Sequence, residues 1–183
     1  MTKKIRALLL SAGFGTRLRP LTYKIPKCLV EINGESLLVN WLKKLEKIGC
    51  DEVLINTHYL SSQVNKVIKK WDQKKLKVKT VYEEKLLGTA GTLRNNSNFF
   101  KNSLGLLIHA DNFTNLDLQE FLKSHYSRNK ECNISMVTFK TNNPSQCGIV
   151  EVDQNNILKN YFEKVNNPPS NIANGALFAF EES

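Results

Sequence analysis

The sequence predicts an α/β domain built on a mixed sheet. Two observations carry that prediction. The first half alternates short apolar runs with amphipathic helical stripes, and the second half turns strand-rich. In addition, glycines and an aspartate fall just past the ends of apolar runs, where open α/β sheets bind ligands.

The elements follow in order. Ile5 to Leu10 is continuous, apolar and flanked by charge, as a buried parallel strand should be. Leu29 to Ile32 is a short extended piece ended by the turn signal Asn33-Gly34. Ser36 caps a helix from Leu37 to Ile48 with the stripe Leu37, Leu38, Trp41, Leu42, Leu45 and Ile48, and Gly49 stops it. Glu52 to Asn56 is the next strand. Ser61 or Ser62 caps a second helix that turns Val64, Val67, Ile68 and Trp71 inward. Leu76 to Tyr82 and Leu104 to Ile108 are strands, and Leu116 to Tyr126 is a helix. Ile134 to Phe139, Ile149 to Val152, Ile157 to Phe162 and Ile172 to Phe180 are all strand-like. No repeat, low-complexity tract or linker divides residues 1–183, so one domain is expected.

Composition narrows the function. The chain has 183 residues and a formal net charge of +9. Much of that charge sits in Lys66, Lys69, Lys70, Lys74, Lys75, Lys77 and Lys79, with no aromatic residues interleaved for base stacking, so a solvated face is expected rather than a nucleic-acid surface. No apolar run approaches the length of a membrane span and no leader pattern opens the chain, which points to a cytoplasmic protein. Cys28, Cys50, Cys132 and Cys147 are scattered, without zinc or redox spacing. Cys28 beside Lys27 reads as a small packed residue rather than a reactive thiol. His58, His109 and His125 have no partner that would build a nucleophile-and-base set.

The most informative stretch is Ser11-Ala12-Gly13-Phe14-Gly15-Thr16-Arg17, directly after the first strand. Two glycines one residue apart permit positive φ and a close approach of ligand to backbone. Their N–H groups can converge on an anion. Arg17 adds a forked cation, and Lys27 follows on a segment that Pro20 and Pro26 should keep extended. The dinucleotide fingerprint fails because Leu18 stands where a third glycine belongs, and no Gly-Lys-Ser/Thr marks a P-loop. What remains is a place to hold a polyphosphate.

As one string, AGFGTRLRPLT followed by PKCLVEINGESLL closely resembles the signature of the sugar-1-phosphate nucleotidyltransferases, the NDP-sugar pyrophosphorylases, and among them most the mannose-1-phosphate guanylyltransferases. The resemblance implies a three-layer Rossmann-like fold with a mixed, mostly parallel sheet. It implies transfer of a nucleotidyl group from an NTP to a sugar 1-phosphate, with pyrophosphate released. Ser11, Ala12, Gly13, Gly15, Thr16, Arg17 and Lys27 would hold the nucleotide, with Glu83, Gly88 and Thr89 of the string Glu83 to Thr92. Asp111 would bind Mg²⁺, in Ala110-Asp111 where the family usually shows Gly-Asp, and Arg17, Lys27 and Asp111 would be catalytic. Gly148, Glu163, Lys164, Asn174 and Gly175 would hold the sugar phosphate, although Val165 replaces a proline frequent after the lysine.

Residue chemistry adds to these implications. Asp111 ends an apolar strand, where an aspartate either forms a turn or ligates a hard cation. Gly88 can turn the 83–92 loop and Thr89 can cap the helix behind it; Glu163-Lys164 can equally be an exposed ion pair. At the base-facing position that the resemblance assigns to Glu83, a carboxylate only accepts hydrogen bonds. Guanine offers two adjacent donors, so GTP is favoured over UTP or dTTP. The sugar, favoured as mannose, is equally open to glucose, a heptose or an amino sugar. The family's chains normally continue to a second metal-binding aspartate. None matches it here, which led us to expect an incomplete domain with an exposed apolar face and weak or absent catalysis. A non-catalytic nucleotide-sugar-binding homologue and a nucleic-acid module are the other readings, and self-association is left open.

Overall fold

The computed structural model describes residues 3–181. Its core is an eight-stranded mixed sheet. Strands β1 (Lys4–Leu10), β4 (Glu52–Thr57), β5 (Lys77–Tyr82) and β6 (Ser103–His109) are parallel, in the order β5-β4-β1-β6. Strand β10 (Ile172–Glu181) lies antiparallel to β6 and also pairs with β7 (Ile134–Lys140) and β8 (Gly148–Val152); β9 (Leu158–Glu163) closes that side. A two-residue hairpin, β2 (Glu31–Ile32) and β3 (Glu35–Ser36), stands apart. The helices are α1 (Leu37–Lys47), α2 (Ser61–Lys69), α3 (Gly88–Asn95) and α4 (Leu118–Tyr126).

Period-two alternation sorts the strand side chains into two layers. Ala7, Leu9, Val53, Ile55, Leu104, Leu106, Ile108, Leu177 and Ala179 face one side, where α1, α2 and α4 cover them with Trp41, Leu42, Leu45, Val64, Ile68, Phe121 and Leu122. Leu8, Leu54 and Leu107 face the other side, packed by Phe100, Leu93 of α3, Phe178 and Phe180. This second layer is thinner. An apolar hollow of about 430 Å³ opens there, lined by Ala90, Leu93, Leu107, Ile134, Phe178 and Phe180. Gly105 makes the close packing of β10 possible, because a Cβ there would lie 2.3 Å from the Phe180 ring.

The helices depart from the sequence expectation at their starts. Ser36 does cap α1, accepting from Val39 N–H at 3.4 Å. In α2 the N-cap is Leu60, in a left-handed conformation at φ 50°, and Ser61 is the first helical residue. Asp117 caps α4 by accepting from Gln119 N–H at 2.8 Å, so the helix begins at Leu118 rather than Leu116. Thr89 does not cap α3. That helix opens at Gly88, φ +72°, and Thr89 is its second residue. The Pro20–Pro26 stretch is not extended. It winds through 3₁₀ turns at Thr16–Leu18, Leu21–Tyr23 and Lys27–Leu29, held by bonds such as Leu29 N–H to Pro26 O at 2.8 Å.

His125 of α4 is fully buried. Its Nδ1 lies 2.8 Å from Ser135 Oγ, while its Nε2 has no hydrogen-bond partner and stands 3.9 Å from Glu181 Oε1. Burial first, and then Arg128, push its pKa down from 6.5 to about 4. The unfolded chain therefore takes up a proton at His125 that the folded chain refuses, so folding stability should fall as pH drops from 6.5 toward about 4. Denaturant midpoints measured across that window test this. His125→Leu should flatten the fall, and an equally steep fall in the variant would disprove the assignment.

Candidate active site

The carboxyl ends of β1, β4 and β6 come together by register. Leu10 pairs with Asn56 on one side and His109 on the other. The glycine turn therefore leaves the sheet beside the start of the loop that carries Asp111. Between them lies a cavity of about 210 Å³, lined by Leu10, Ser11, Gly13, Gly15, Thr16, Arg17, Lys27, Cys28 and Asp111. Ala12, expected among the nucleotide-binding residues, is 5% exposed and belongs to the core behind the turn.

The two glycines do different work. Gly15 has φ +63°, and a Cβ there would sit 2.9 Å from Thr22 Cγ2. Thr22, buried, also donates through its hydroxyl to Gly15 O at 2.7 Å. Positive φ at Gly13, allowed by the sequence, is absent, and its Cβ would meet no protein atom within 4 Å. Gly13 thus leaves space open in the wall of the cavity, which is what a close-approaching ligand requires. Phe14 packs against the His58 and Tyr59 rings, each with centroids 5.5 Å away, and bolts the outside of the turn to the end of β4.

Lys27 Nζ contacts Asp111 Oδ2 at 2.5 Å, with both side chains about 30% exposed (31% and 28%). The pair joins the 3₁₀ segment to the end of β6 and places a cation and a carboxylate on one wall. Asn112 next to Asp111 is held on both sides: Trp41 Nε1 donates to its carbonyl at 2.9 Å, and its own Nδ2 donates to Gly175 O at 3.1 Å. Cys28 is packed, as its bland reading had it. Burial pushes its thiol up to about 12, so it carries no thiolate at neutral pH. Burial also holds His109 below its usual value, against the opposing pull of Asp111, which keeps the imidazole neutral.

Glu83 departs from its sequence reading. It is 5% exposed, and three donors within the chain already hold its oxygens. Asn56 Nδ2 and Thr92 Oγ1 donate to Oε1 at 3.0 and 2.5 Å, and Leu87 N–H donates to Oε2 at 3.3 Å. A freely exposed pair of acceptors is not present in this conformation. Gly88 and Thr89 are exposed, and Thr89 Oγ1 lies 3.4 Å from His109 Nε2.

The second group of expected residues forms a cluster of its own. Tyr161, which sequence reasoning missed, donates to Glu163 Oε2 at 2.7 Å. Gly148 lies directly beneath, since a Cβ there would stand 2.0 Å from the Tyr161 hydroxyl. The Tyr161 hydroxyl bond, then Lys164 and the charge of Arg17, hold the Glu163 carboxyl below its usual range. Lys164 Nζ is 3.2 Å from Glu163 Oε1, and Lys164 takes a left-handed backbone at φ 50°. Asn174 turns back to accept from Ala176 N–H at 2.7 Å across a bulge in β10. The close backbone approach expected at Asn174-Gly175 is present: a Cβ on Gly175 would lie 2.9 Å from Val137 O.

Comparison with known proteins places this geometry. The nucleotidyl transferase family model matches residues 6–183. A mannose-1-phosphate guanylyltransferase catalytic subunit beta of Drosophila melanogaster is 34% identical over 97% of this chain and 48% of its own length. A mannose-1-phosphate guanylyltransferase of Mycobacterium tuberculosis is 27% identical over 100% of this chain and 50% of its own. Among solved structures, a putative glucose-1-phosphate thymidylyltransferase from Bacillus anthracis, in complex with a sucrose, superposes with TM-score 0.87 at 17% identity, over 97% of this chain and 71% of that one. The chain belongs to the nucleotidyl transferase family. It spans about half the length of the curated relatives it matches.

The contrast between the glycines is testable. Gly15→Ala imposes a left-handed alanine, costing about 1–2 kcal/mol, and crowds Thr22, so its thermal midpoint should fall. Gly13→Ala should leave the midpoint unchanged and weaken nucleotide binding. Unaltered affinity in Gly13→Ala, measured by calorimetry, would show that no ligand approaches the backbone there.

Proposed function

We propose that the chain transfers a nucleotidyl group from an NTP to a sugar 1-phosphate and releases pyrophosphate, with GTP and mannose 1-phosphate the favoured substrates. The observation that carries this reading is the cavity, where a glycine turn, Arg17, Lys27 and Asp111 meet at the ends of parallel strands. A phosphate oxygen of the sugar 1-phosphate attacks the α-phosphorus in line. The new P–O bond forms as the bond to the bridging oxygen breaks, and its electron pair leaves with pyrophosphate. The nucleophile is already an anion, so no general base is needed. The work is alignment and neutralisation of charge.

Gly13 and Gly15 cradle the phosphates, Lys27 steadies those near the α-position, and Arg17 takes the charge of the leaving pyrophosphate. Lys164 receives the phosphate of the sugar, with Gly148, Glu163, Asn174 and Gly175 around the sugar itself. Asp111 suits Mg²⁺, which takes one or two carboxylates and fills its shell with phosphate oxygens and water. Among the described residues no three His, Cys, Asp or Glu side chains gather, so the substrates would supply its other ligands. When bound, the ion supplies further neutralisation of the phosphates. Asp111 would be the residue that holds the ion, and Lys27, its present partner, would then face phosphate.

The guanine preference draws on the guanylyltransferase relatives and on Glu83, which keeps a single hydrogen bond on Oε2. Oε2 can accept a second hydrogen bond beside that from Leu87 N–H, so reading the base requires the 83–92 loop to uncover Glu83, which is 5% exposed here.

Pyrophosphate release measured over a grid of NTPs and sugar 1-phosphates tests the reaction and both preferences. GTP with mannose 1-phosphate should give the fastest turnover; faster turnover with UTP or dTTP would overturn the base assignment. Removing one preorganised charge-stabilising group typically costs about 10²–10³-fold in turnover. Arg17→Ala and Lys27→Ala should each lose that much with little change in thermal midpoint, and near wild-type turnover in both would refute the roles given to them.

A further inference from the structure

We propose that Asn56 is a positioning residue that locks the phosphate-holding turn to the 83–92 loop, so that the nucleotide site holds its shape only while this one amide bridges them. The inference deepens the nucleotide-binding reading above and rests on it.

Asn56 is the next-to-last residue of β4, within its buried run, and is 3% exposed. Its backbone is fixed in the sheet, paired with Leu10 of β1 and Val81 of β5. Ser11, the first residue of the turn, is held twice by it. Ser11 N–H donates to Asn56 Oδ1 at 2.7 Å, and Ser11 Oγ donates to Asn56 O at 2.5 Å. The other end of the amide, Nδ2, donates to Glu83 Oε1 at 3.0 Å. Glu83 Oε2 in turn receives Leu87 N–H and so fixes the loop just before Gly88.

The polarity of this chain is forced. A backbone N–H only donates and a carboxylate only accepts, so the residue between them must offer an acceptor on one side and a donor on the other. Asparagine does this from a short, flat side chain. The side chains of the bridge are buried, with Ser11 8% exposed, Asn56 3%, Glu83 5% and Thr92 1%, and only its last link, the Leu87 N–H, belongs to an exposed residue. A broken link therefore leaves a polar group without water to replace its partner, which couples the two loops strongly. A substitution at one end should be felt at the other.

Reversing the polarity tests this. Asn56→Asp sets a second carboxylate against Glu83 Oε1, whereas Asn56→Asp combined with Glu83→Gln restores a donor facing an acceptor. GTP dissociation constants and amide exchange of residues 11–17 in the ligand-free chain are measured for wild type, both single variants and the double variant. Asn56→Asp should weaken GTP binding about tenfold or more, the scale of a buried unsatisfied polar group, and speed exchange in the turn. The double variant should recover on both readouts, at least to the level of Glu83→Gln alone. An Asn56→Asp variant equal to wild type, or a double variant no better than Asn56→Asp, overturns the proposal. If the wild-type chain binds no NTP, the nucleotide reading fails, and the exchange measurement still decides whether Asn56 couples the loops. If Asn56→Asp does not fold, Thr92→Val removes one donor from Glu83 and a 3.4 Å acceptor from the Asn56 amide without touching the turn; faster exchange at residues 11–17 supports the bridge, and unchanged exchange there refutes it.

Discussion

The contact between Lys27 and Asp111 is the constraint on which the site depends. A parallel sheet brings the ends of β1 and β6 side by side, but it does not close a cavity by itself. The segment after the glycine turn makes three 3₁₀ turns and returns Lys27 to the end of β6, 2.5 Å from the aspartate. That return converts an open strand edge into a pocket lined by the glycine turn, two cations and a carboxylate. The pair is partly exposed, so its worth to folding is modest. Its worth to the site is that it sets a cation and a carboxylate side by side in the lining of the cavity.

Behind this polar front stands a rigid back. Leu8, Leu9 and Ala7 are fully buried, as are Leu104, Leu106 and Ile108, and they fix the two strands whose ends carry the chemistry. Buried polar groups carry that rigidity into the loops. Thr22 holds Gly15, Trp41 and Gly175 hold Asn112, and Asn56 holds both Ser11 and Glu83. Buried polar groups are costly unless they are paired, so a loop anchored this way has few alternative positions.

The strands were legible in the sequence because burial on both faces leaves a continuous apolar run, as in Ile5 to Leu10 and Leu104 to Ile108. The helices were legible from their stripes. The start of α1 at Ser36 was legible too, but those of α2 and α4 were not, because Leu60 takes a left-handed cap and Asp117 captures the start of α4. The glycine turn, Arg17, Lys27 and Asp111 could be read as one site since each stands just past a strand or on the chain that follows. Tyr161 and Thr22 could not, since the first meets Gly148 through the β8–β9 pairing and the second meets Gly15 through the 3₁₀ turns, and neither shows in the spacing. Asn56 left a signal that went unused: a lone amide ending an otherwise apolar strand. Glu83 was given to the base by the family resemblance, and nothing local reveals that Asn56 and Thr92 draw it inward.

The central claim is that the turn from Ser11 to Arg17 holds the phosphates of a nucleotide. Titration of ¹⁵N-labelled chain with GTP and Mg²⁺, followed by backbone amide chemical shifts, tests it most directly. The account requires the largest saturable shifts at Gly13, Gly15 and Thr16, with Asp111 and its neighbours moving in parallel. Shifts confined to the apolar hollow beside Phe178 and Phe180, or no saturable shift in the turn, would contradict it.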